Sequence, residues 1–400
     1  MSLLVTDGNE RAALAVTRAL GREGIEVIVG SEQDRPLAGA SRHCAGVIRY
    51  PSPYVDPGGY IQALLDTVNE RHVRVLLPLS DIAMSLIGAA RTRFAGVTAV
   101  PVPALEVYEA VSDKYGLMQM AQSLGVPIPE TVFVPDGIVP ASAHAPGGFP
   151  VIVKPGRSRV CLEGRWEKTA VQVVGSQEEL HALYKTTPYL RLPSLIQRRV
   201  EGEGQGVFAL FDHGKPVTLF AHRRLREKPP SGGVSVLRES IEVPPIMAVH
   251  AVRLLEKVGW HGVAMVEFKV EPSTGIPRLM EINGRFWGSL QLAIDAGVNF
   301  PWLLYRLALG QPIDSRPAAY RAGVKSRWVV GDVDHLLARI FKSDRALNLP
   351  PGYPSRWQCA RDFLRFLEPD LYCEVERWDD LGPARVEWSK YLKSLIGVAA

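Results

Sequence analysis

Two alternating apolar runs joined by a short turn constrain this chain more than any other feature. The runs are "VAMVEFKV" (263–270) and the stretch that opens "RLMEIN" at Arg278, and the intervening "EPSTGIP" is punctuated by Pro272, Gly275 and Pro277. Alternation is the period of a β-strand, in which residues two apart share a face. The two runs therefore read as an antiparallel hairpin. Leu279, Glu281, Asn283 and Arg285 fall on one face, with Met280 and Ile282 pointing the other way into a core. Glu267 shares a face with Met265 and Lys269. A turn centred near Thr274 sets Glu267 directly opposite Glu281, and a slip of two residues leaves them diagonal. Facing carboxylates repel and destabilise a strand pair. Either salt bridges to Arg285 or Lys269 compensate on a solvated face, or a divalent cation does. Mg2+ takes hard oxygen ligands, and Glu267, Glu281 and the Asn283 carbonyl supply them. The forked Arg285 suits a phosphate or a carboxylate.

Four hundred residues exceed one ordinary core and suggest two or three domains. The first hundred or so alternate strand and helix. "LLVT" is a strand, "DGNERAALAVTRALGREG" a turn and an amphipathic helix, and "IEVIVG" and "VRVLLPLS" are further strands, with a helix near Asp81 to Ala90. This pattern implies a parallel, helix-covered sheet. Its first turn, "TDGNER", lacks the glycines that let a backbone meet a dinucleotide pyrophosphate, which disfavours a nicotinamide dehydrogenase. A net charge of +4 is too mild for a nucleic-acid partner and fits a small anion equally well. The cysteines at 44, 161, 359 and 373 make no metal-like spacing and read as free thiols. The N-terminal stretch has no basic start, long apolar run or cleavage site, so a cytoplasmic location is expected. No apolar run approaches a membrane span.

Between these regions lie three basic segments. In "SDKYGLMQMAQSLGVPIPET", Ser112 can cap a helix running to Leu124, which puts Lys114 in its first turn. A cation there is unfavourable unless it and the helix terminus face an anion together. "GGFPVIVKPGRSRV" is a strand with Lys154 at its tip, followed by a loop carrying Arg157, Arg159, Arg165 and Lys168. "LIQRRVEGEGQGVFALFDHGKPV" reads as strand, Gly-rich turn and strand, and "HRRLREKPPSGGVSV" as a mobile basic loop.

The ordered set "SDKYGLMQMAQSLGVPIPET", "FPVIVKPGRSR", "IQRRVEGEG" and "AMVEFKV…LMEINGRFWGS" resembles the ATP-grasp superfamily over about residues 1–310. That group includes D-alanine–D-alanine ligase, biotin carboxylase, carbamoyl phosphate synthetase and glycinamide ribonucleotide synthetase. The resemblance implies a mixed α/β and α+β architecture. A Rossmann-like parallel domain (1–105) would precede a two-subdomain ATP-grasp fold (106–310) and a mostly helical C-terminal extension (311–400). It implies ATP and Mg2+ (or Mn2+) as cofactors. Lys114 and Lys154 would hold the phosphates, and the loop from Gly156 to Lys168 would close over them. Gln197, Arg198 and Val200 would line the adenine pocket, the last two mainly through backbone groups, and Glu203 would reach the ribose. Glu267, Glu281 and Asn283 would bind metal, and Arg285 would meet an acyl phosphate. The phosphate loop departs from the family in being arginine-rich, and Gln197 and Arg198 replace an acidic residue common in relatives.

The implied reaction couples a small-molecule carboxylate to an amine or similar nucleophile through an acyl phosphate, with release of ADP and phosphate. Arg223, Arg224 and Arg226 are candidates for the substrate carboxylate, although a solvated strand end would look the same. Asp81 and the turn from Thr6 to Asn9 can approach the second substrate, while His222 and His261 read as structural. Competing readings are a carboxylase, a small-molecule kinase or a non-catalytic nucleotide-binding protein. "HLLARIFKS" and "WQCARDFLRFL" have helical apolar spacing and are expected to pack as an appendage or a homodimer surface.

Overall fold

The computed structural model describes residues 2–139, 145–313, 319–349, 352–366 and 368–396. The N-terminal region runs β1 (Ser2–Val5), α1 (Arg11–Arg22), β2 (Glu26–Ser31), β3 (Cys44–Arg49), α2 (Pro57–Glu70), β4 (Val75–Leu77), α3 (Asp81–Ala89) and α4 (Arg91–Phe94). Its strands are all parallel, in the order β3-β2-β1-β4. The parallel sheet follows from the alternation of strand and helix. The β3–α2 unit was less legible, because "CAGVIR" alternates half-exposed and exposed positions and lacks a strong apolar stripe.

A helical linker follows, α5 (Leu105–Ser112) and α6 (Lys114–Ser123). Asp113, not Ser112, caps α6, its carboxylate accepting from the Tyr115 N–H. Lys114 is thus the first helical residue. Next come β5 (Thr131–Val134), β6 (Val151–Pro155), the ribbon β7 (Arg159–Leu162) and β8 (Arg165–Lys168), β9 (Gln172–Val174), α7 (Gln177–Thr186) and β10 (Ser194–Arg198). Four of these strands form an antiparallel sheet in the order β5-β10-β6-β9.

The large sheet is built from β11 (Glu203–Asp212), β12 (Lys215–Lys228), β13 (Val234–Ile241), β14 (Gly262–Val270) and β15 (Pro277–Asn283), backed by α8 (Pro245–Lys257). The chain continues through α9 (Leu290–Ala296), α10 (Phe300–Ala308), β16 (Lys325–Arg327), α11 (Val329–Phe341), α12 (Arg356–Phe363), β17 (Leu371–Cys373) and α13 (Gly382–Leu395). The sheet order is β15-β14-β11-β12-β13-β16-β17. The segment "HRRLRE" is therefore the far half of the long strand β12 and not a loop. Its alternation is obscured by two register shifts near Arg224 and Arg226.

The C-terminal segment carries the helices its periodicity predicts, although Leu367 lies outside the described residues. It is not a loose appendage. β16 and β17 extend the large sheet, and the segment is stitched to α1 by buried charge. Arg18 is 1% exposed and donates to Asp380 Oδ2 (2.8 Å), to the backbone oxygens of Glu374 (2.8 Å) and Val375 (2.9 Å), and to that of Asp380 (3.0 Å). Asp380 also accepts from Ser41 Oγ at 2.6 Å and the Arg42 N–H at 2.9 Å. Arg11 and Arg238 both pair with Glu374. One apolar core runs continuously from β1, β2 and α1 through Phe208, Phe220, Trp287 and Phe300 to Val375 and Ala384. Among the described residues no helix is long and apolar enough to cross a membrane.

Replacing Arg18 by Ala leaves Asp380 buried without its main counter-charge, and breaking a buried pair from one side costs about 3–5 kcal/mol. Urea unfolding of R18A should show a loss of that order. A change below about 1 kcal/mol would mean that the N- and C-terminal segments are held by the apolar core alone.

Candidate functional site

Glu267 and Glu281 are direct cross-strand partners in the β14–β15 hairpin. A β-bulge follows at once: Phe268 pairs with Leu279, so Met280 is the extra residue. The bulge shifts the alternation by one position. Leu279 turns into the core with Ile282, and Met280 turns into the cleft with Glu281 and Asn283. This reverses the expected orientation of Leu279 and Met280. On β14, Met265, Glu267 and Lys269 face the same cleft.

Cations converge on the two carboxylates. Arg224 donates to Glu267 Oε2 at 2.5 Å and to Glu227 at 2.8 Å. Lys114 lies 3.2 Å from Glu281 Oε2 and donates to Ser158 Oγ at 3.0 Å. Asn283 Nδ2 donates to Glu281 Oε1 at 3.0 Å. Lys154 Nζ reaches the Met280 carbonyl at 3.5 Å. Lys114 is fixed because its own N–H donates to the Gly156 carbonyl at 2.6 Å, which ties the start of α6 to the loop after β6. Burial, reinforced by Glu281, holds the Glu267 carboxyl above its usual range despite Arg224. Burial also works against the Glu281 carboxylate, but Lys114, Asn283 and Lys154 outweigh it and hold its pKa low. Burial brings the Lys154 ammonium down to about 8. The two carboxylates face the same cleft as direct cross-strand partners, and Glu267 Oε1 has no hydrogen bond among the described residues, whereas Asn283 turns its Nδ2 rather than its carbonyl toward Glu281. The paired carboxylates are the hard oxygen donors a dication takes.

The cleft between the two antiparallel sheets holds a cavity of about 700 Å³. Ile152, Val171 and Val173 form one wall and Met265 and Met280 the other, with Gln197, Arg198 and Val200 at the crossing between sheets. Gln197 is 1% exposed; its Nε2 donates to Thr131 Oγ1 at 3.0 Å, and its Oε1 has no partner among the described residues. A donor such as an exocyclic amine would satisfy it. The Arg198 side chain pairs with Glu271 in the hairpin turn, and the Val200 carbonyl accepts from Lys269 at 3.2 Å.

The structure does not bring every expected residue to this cavity. Glu203 lies outside its lining, accepting from Gln205 at 2.8 Å. Arg223 pairs with Glu239 at 2.7 Å and Arg226 with Asp332 at 2.8 Å, both away from the cavity. Only Arg224 of that trio lines it: alternation turns Arg223 to the other side of β12, and the register shift after Arg224 turns Arg226 away.

Arg285 lies beyond the end of β15, where Gly284 lets the chain turn: a Cβ at Gly284 would sit 2.5 Å from the Trp260 ring. The guanidinium grips Asp81 of α3 with two hydrogen bonds, 3.0 and 3.2 Å. Tyr108 donates to the same Asp81 at 3.0 Å. This clasp closes the cavity toward the N-terminal sheet. Beside it, Arg11, His222, Trp287, Gly288 and Ser289 complete the lining. The hairpin reading had no access to Arg11, because only the fold brings residues so distant in sequence together. The ribbon β7–β8 stands near the same domain, with Arg159 stacked over Tyr54 at 4.7 Å. Beneath it a smaller cavity of about 80 Å³ is lined by Lys114, Ser158 and Asn283.

Comparison with known proteins identifies the architecture. The family described as "ATP-grasp in the biosynthetic pathway with Ter operon" matches residues 193–331. No curated protein matches the sequence. Among solved structures, the L-amino acid ligase from Bacillus licheniformis superposes with a TM-score of 0.61 at 15% identity, covering 81% of this chain and 78% of that one. The biotin carboxylase domain of the Hydrogenobacter thermophilus 2-oxoglutarate carboxylase, a complex with MgADP and bicarbonate, gives 0.59 at 16% identity, with 81% and 73% covered. N5-carboxyaminoimidazole ribonucleotide synthetase from Thermotoga maritima gives 0.55 at 14% identity, with 81% and 78% covered. These likenesses establish the fold.

Replacing Arg224 by Met removes the main counter-charge of Glu267. A carboxyl whose folded pKa is raised binds more protons folded than unfolded, so its ionisation costs stability as pH rises from its unfolded value. R224M should raise that pKa further. Its deficit should be about 3 kcal/mol at pH 7 and shrink as the pH falls toward 5. A deficit independent of pH would show that Glu267 does not carry the strain.

Proposed function

We propose that this chain, which matches an ATP-grasp family over residues 193–331 and shares its fold with an L-amino acid ligase, is an ATP-dependent ligase that activates a small-molecule carboxylate as an acyl phosphate and passes the acyl group to an amine. The observation that carries this reading is the Glu267–Glu281 pair in the lining of the 700 Å³ cavity, with Lys114, Lys154 and Arg224 around it.

A carboxylate and an amine do not condense usefully in water, because hydroxide leaves poorly. Attack of the substrate carboxylate oxygen on the γ-phosphorus of ATP breaks the bond to ADP and gives an acyl phosphate. The amine then adds to the carbonyl, inorganic phosphate departs, and the amine proton is lost. Little covalent chemistry is required of the protein, which contributes positioning and charge neutralisation.

The chain has a group for each need. Ile152, Val171, Val173, Met265 and Met280 form an apolar slot suited to a flat base, and the unpartnered Gln197 Oε1 can accept from its amine. Lys154 and Lys114 lie where a triphosphate leaving that slot meets the carboxylates. Glu267, Glu281 and Asn283 would hold Mg2+, which when bound offsets phosphate charge. Arg285 keeps N–H donors beyond those used on Asp81 and Phe286 O, and these can meet developing negative charge on the acyl carbon's oxygens. Arg11, Arg224 and Ser289 line the far end, which fits the substrate carboxylate. The β7–β8 ribbon would cover the phosphates and exclude water, which would otherwise hydrolyse the intermediate.

Release of ADP should appear with one member of a panel of amino acids, small carboxylates, amines and bicarbonate. E281Q should lower that rate at least about 100-fold while still binding nucleotide. Nucleotide binding without turnover for any candidate would favour a non-catalytic role, and turnover with bicarbonate alone a carboxylase.

Lys154 gives a second test. A triphosphate beside it favours the ammonium and raises a pKa that burial has brought to about 8. Above pH 8, ATP binding should therefore take up a proton, seen in calorimetry as a binding enthalpy that varies with the buffer's ionisation heat. Affinity should also decline as the pH rises further. In K154M the buffer dependence should vanish. A buffer-independent enthalpy in the parent would place the phosphates away from Lys154.

A further inference from the structure

Just beyond the Phe211–Gly262 end of the β11–β14 ladder, the turn between β11 and β12 brings together three side chains that the proposed ligase chemistry does not use. We propose that Asp212, His213 and His261 form a second metal site, selective for a borderline transition dication such as Zn2+ and distinct from the Glu267–Glu281 cluster.

The turn is a two-residue connection, with Asp212 paired to Lys215 across it. His213 and Gly214 take φ of 45° and 82°. Left-handed conformation at both positions is the mirror-type hairpin turn, whose first central position normally goes to Asn, Asp or Gly. A histidine is a costly occupant of that position. The turn is pinned to the start of β14 by the Gly214 N–H, which donates to the Trp260 carbonyl at 2.7 Å. That bond holds His213 against His261, the ring centroids 4.1 Å apart.

Asp212 Oδ1 lies 2.7 Å from His213 Nδ1 and 3.4 Å from His261 Nδ1, and one ligand atom from each residue lies within 4.8 Å of the others. Ligands about 2.0–2.1 Å from a tetrahedral ion stand about 3.3 Å apart, so the observed separations bracket what such an ion requires. The His213 N–H lies 3.4 Å from His261 Nδ1, the long limit for a hydrogen bond, so that nitrogen's lone pair is only weakly engaged and open to a cation.

Two imidazoles and one carboxylate form a set that suits Zn2+, Co2+ or Ni2+, whereas Mg2+ prefers oxygens throughout. His261 is half-buried and fixed at a strand end, while His213 is exposed and free to adjust. The remaining coordination position opens on a groove of about 630 Å³ lined by Arg91 and Gln311, which leaves room for water or a small anion.

The test is calorimetric titration of tag-free, chelator-treated protein with ZnCl2 in excess Mg2+, together with the absorption spectrum of the Co2+ form. The expected result is one equivalent of Zn2+, with affinity lowered more than about 100-fold in H213Q and H261Q, beyond what loss of an outer partner costs. E281Q should bind Zn2+ as the parent does, and the Co2+ form should show tetrahedral d–d bands lost in H213Q. His213 is exposed, so H213Q should fold even if H261Q does not. Absence of Zn2+ binding, or binding that survives H213Q but is lost in E281Q, would overturn the proposal. Neither result bears on the ligase reading, which rests on the other cluster.

Discussion

Like charge facing like charge across one rung of a β-hairpin is the constraint around which this molecule is arranged. Glu267 and Glu281 are direct partners on β14 and β15, and a sheet gains nothing from that pairing by itself. The fold surrounds the pair with cations from three separate elements: Arg224 from β12, Lys114 from the first residue of α6 and Lys154 from β6. Each is oriented locally. Arg224 is shared with Glu227, Lys114 is anchored by its own backbone to Gly156, and Lys154 leans on the Met280 carbonyl. The charge arrangement therefore records how the two antiparallel sheets meet.

The outer parts of the chain serve that meeting point. Arg285 and Asp81 clasp the hairpin to the N-terminal parallel sheet. Arg18 and Asp380, with Arg11 and Arg238 on Glu374, tie that sheet to the C-terminal strands. The core passes through all three regions without a break. The elements that line the cavity are thus held from both ends of the chain, which is how a site assembled from residues as distant as Arg11 and Asn348 keeps its geometry.

Much of this was legible in the residues. Strand period and turn chemistry set the two glutamates opposite or diagonal, and the β14–β15 register makes them direct partners; the parallel N-terminal sheet followed from the alternation of strand and helix. Limits appeared wherever a local irregularity or a distant contact decided the outcome. The bulge at Met280 exchanged the sides of Leu279 and Met280, and alternation cannot announce an inserted residue. Register shifts in β12 hid a strand inside a basic run and sent Arg226 to a carboxylate outside the cavity, while ordinary alternation sent Arg223 to Glu239. Asp113 took the capping role that Ser112 could also have filled. The Arg285–Asp81 clasp and the Arg18 network join positions hundreds of residues apart, and no local pattern encodes them. Glu203 was assigned by analogy and engages Gln205 and Arg223 instead.

The central claim is that the two glutamates and their lysines receive a metal–triphosphate unit. A crystal structure of the chain with a non-hydrolysable ATP analogue and Mg2+ tests it most directly. The account predicts the base between Ile152 and Met280, and a metal about 2.0–2.1 Å from carboxylate oxygens of Glu267 or Glu281, with Lys154 on a phosphate oxygen. Nucleotide seated elsewhere, or a metal held without either carboxylate, would contradict it.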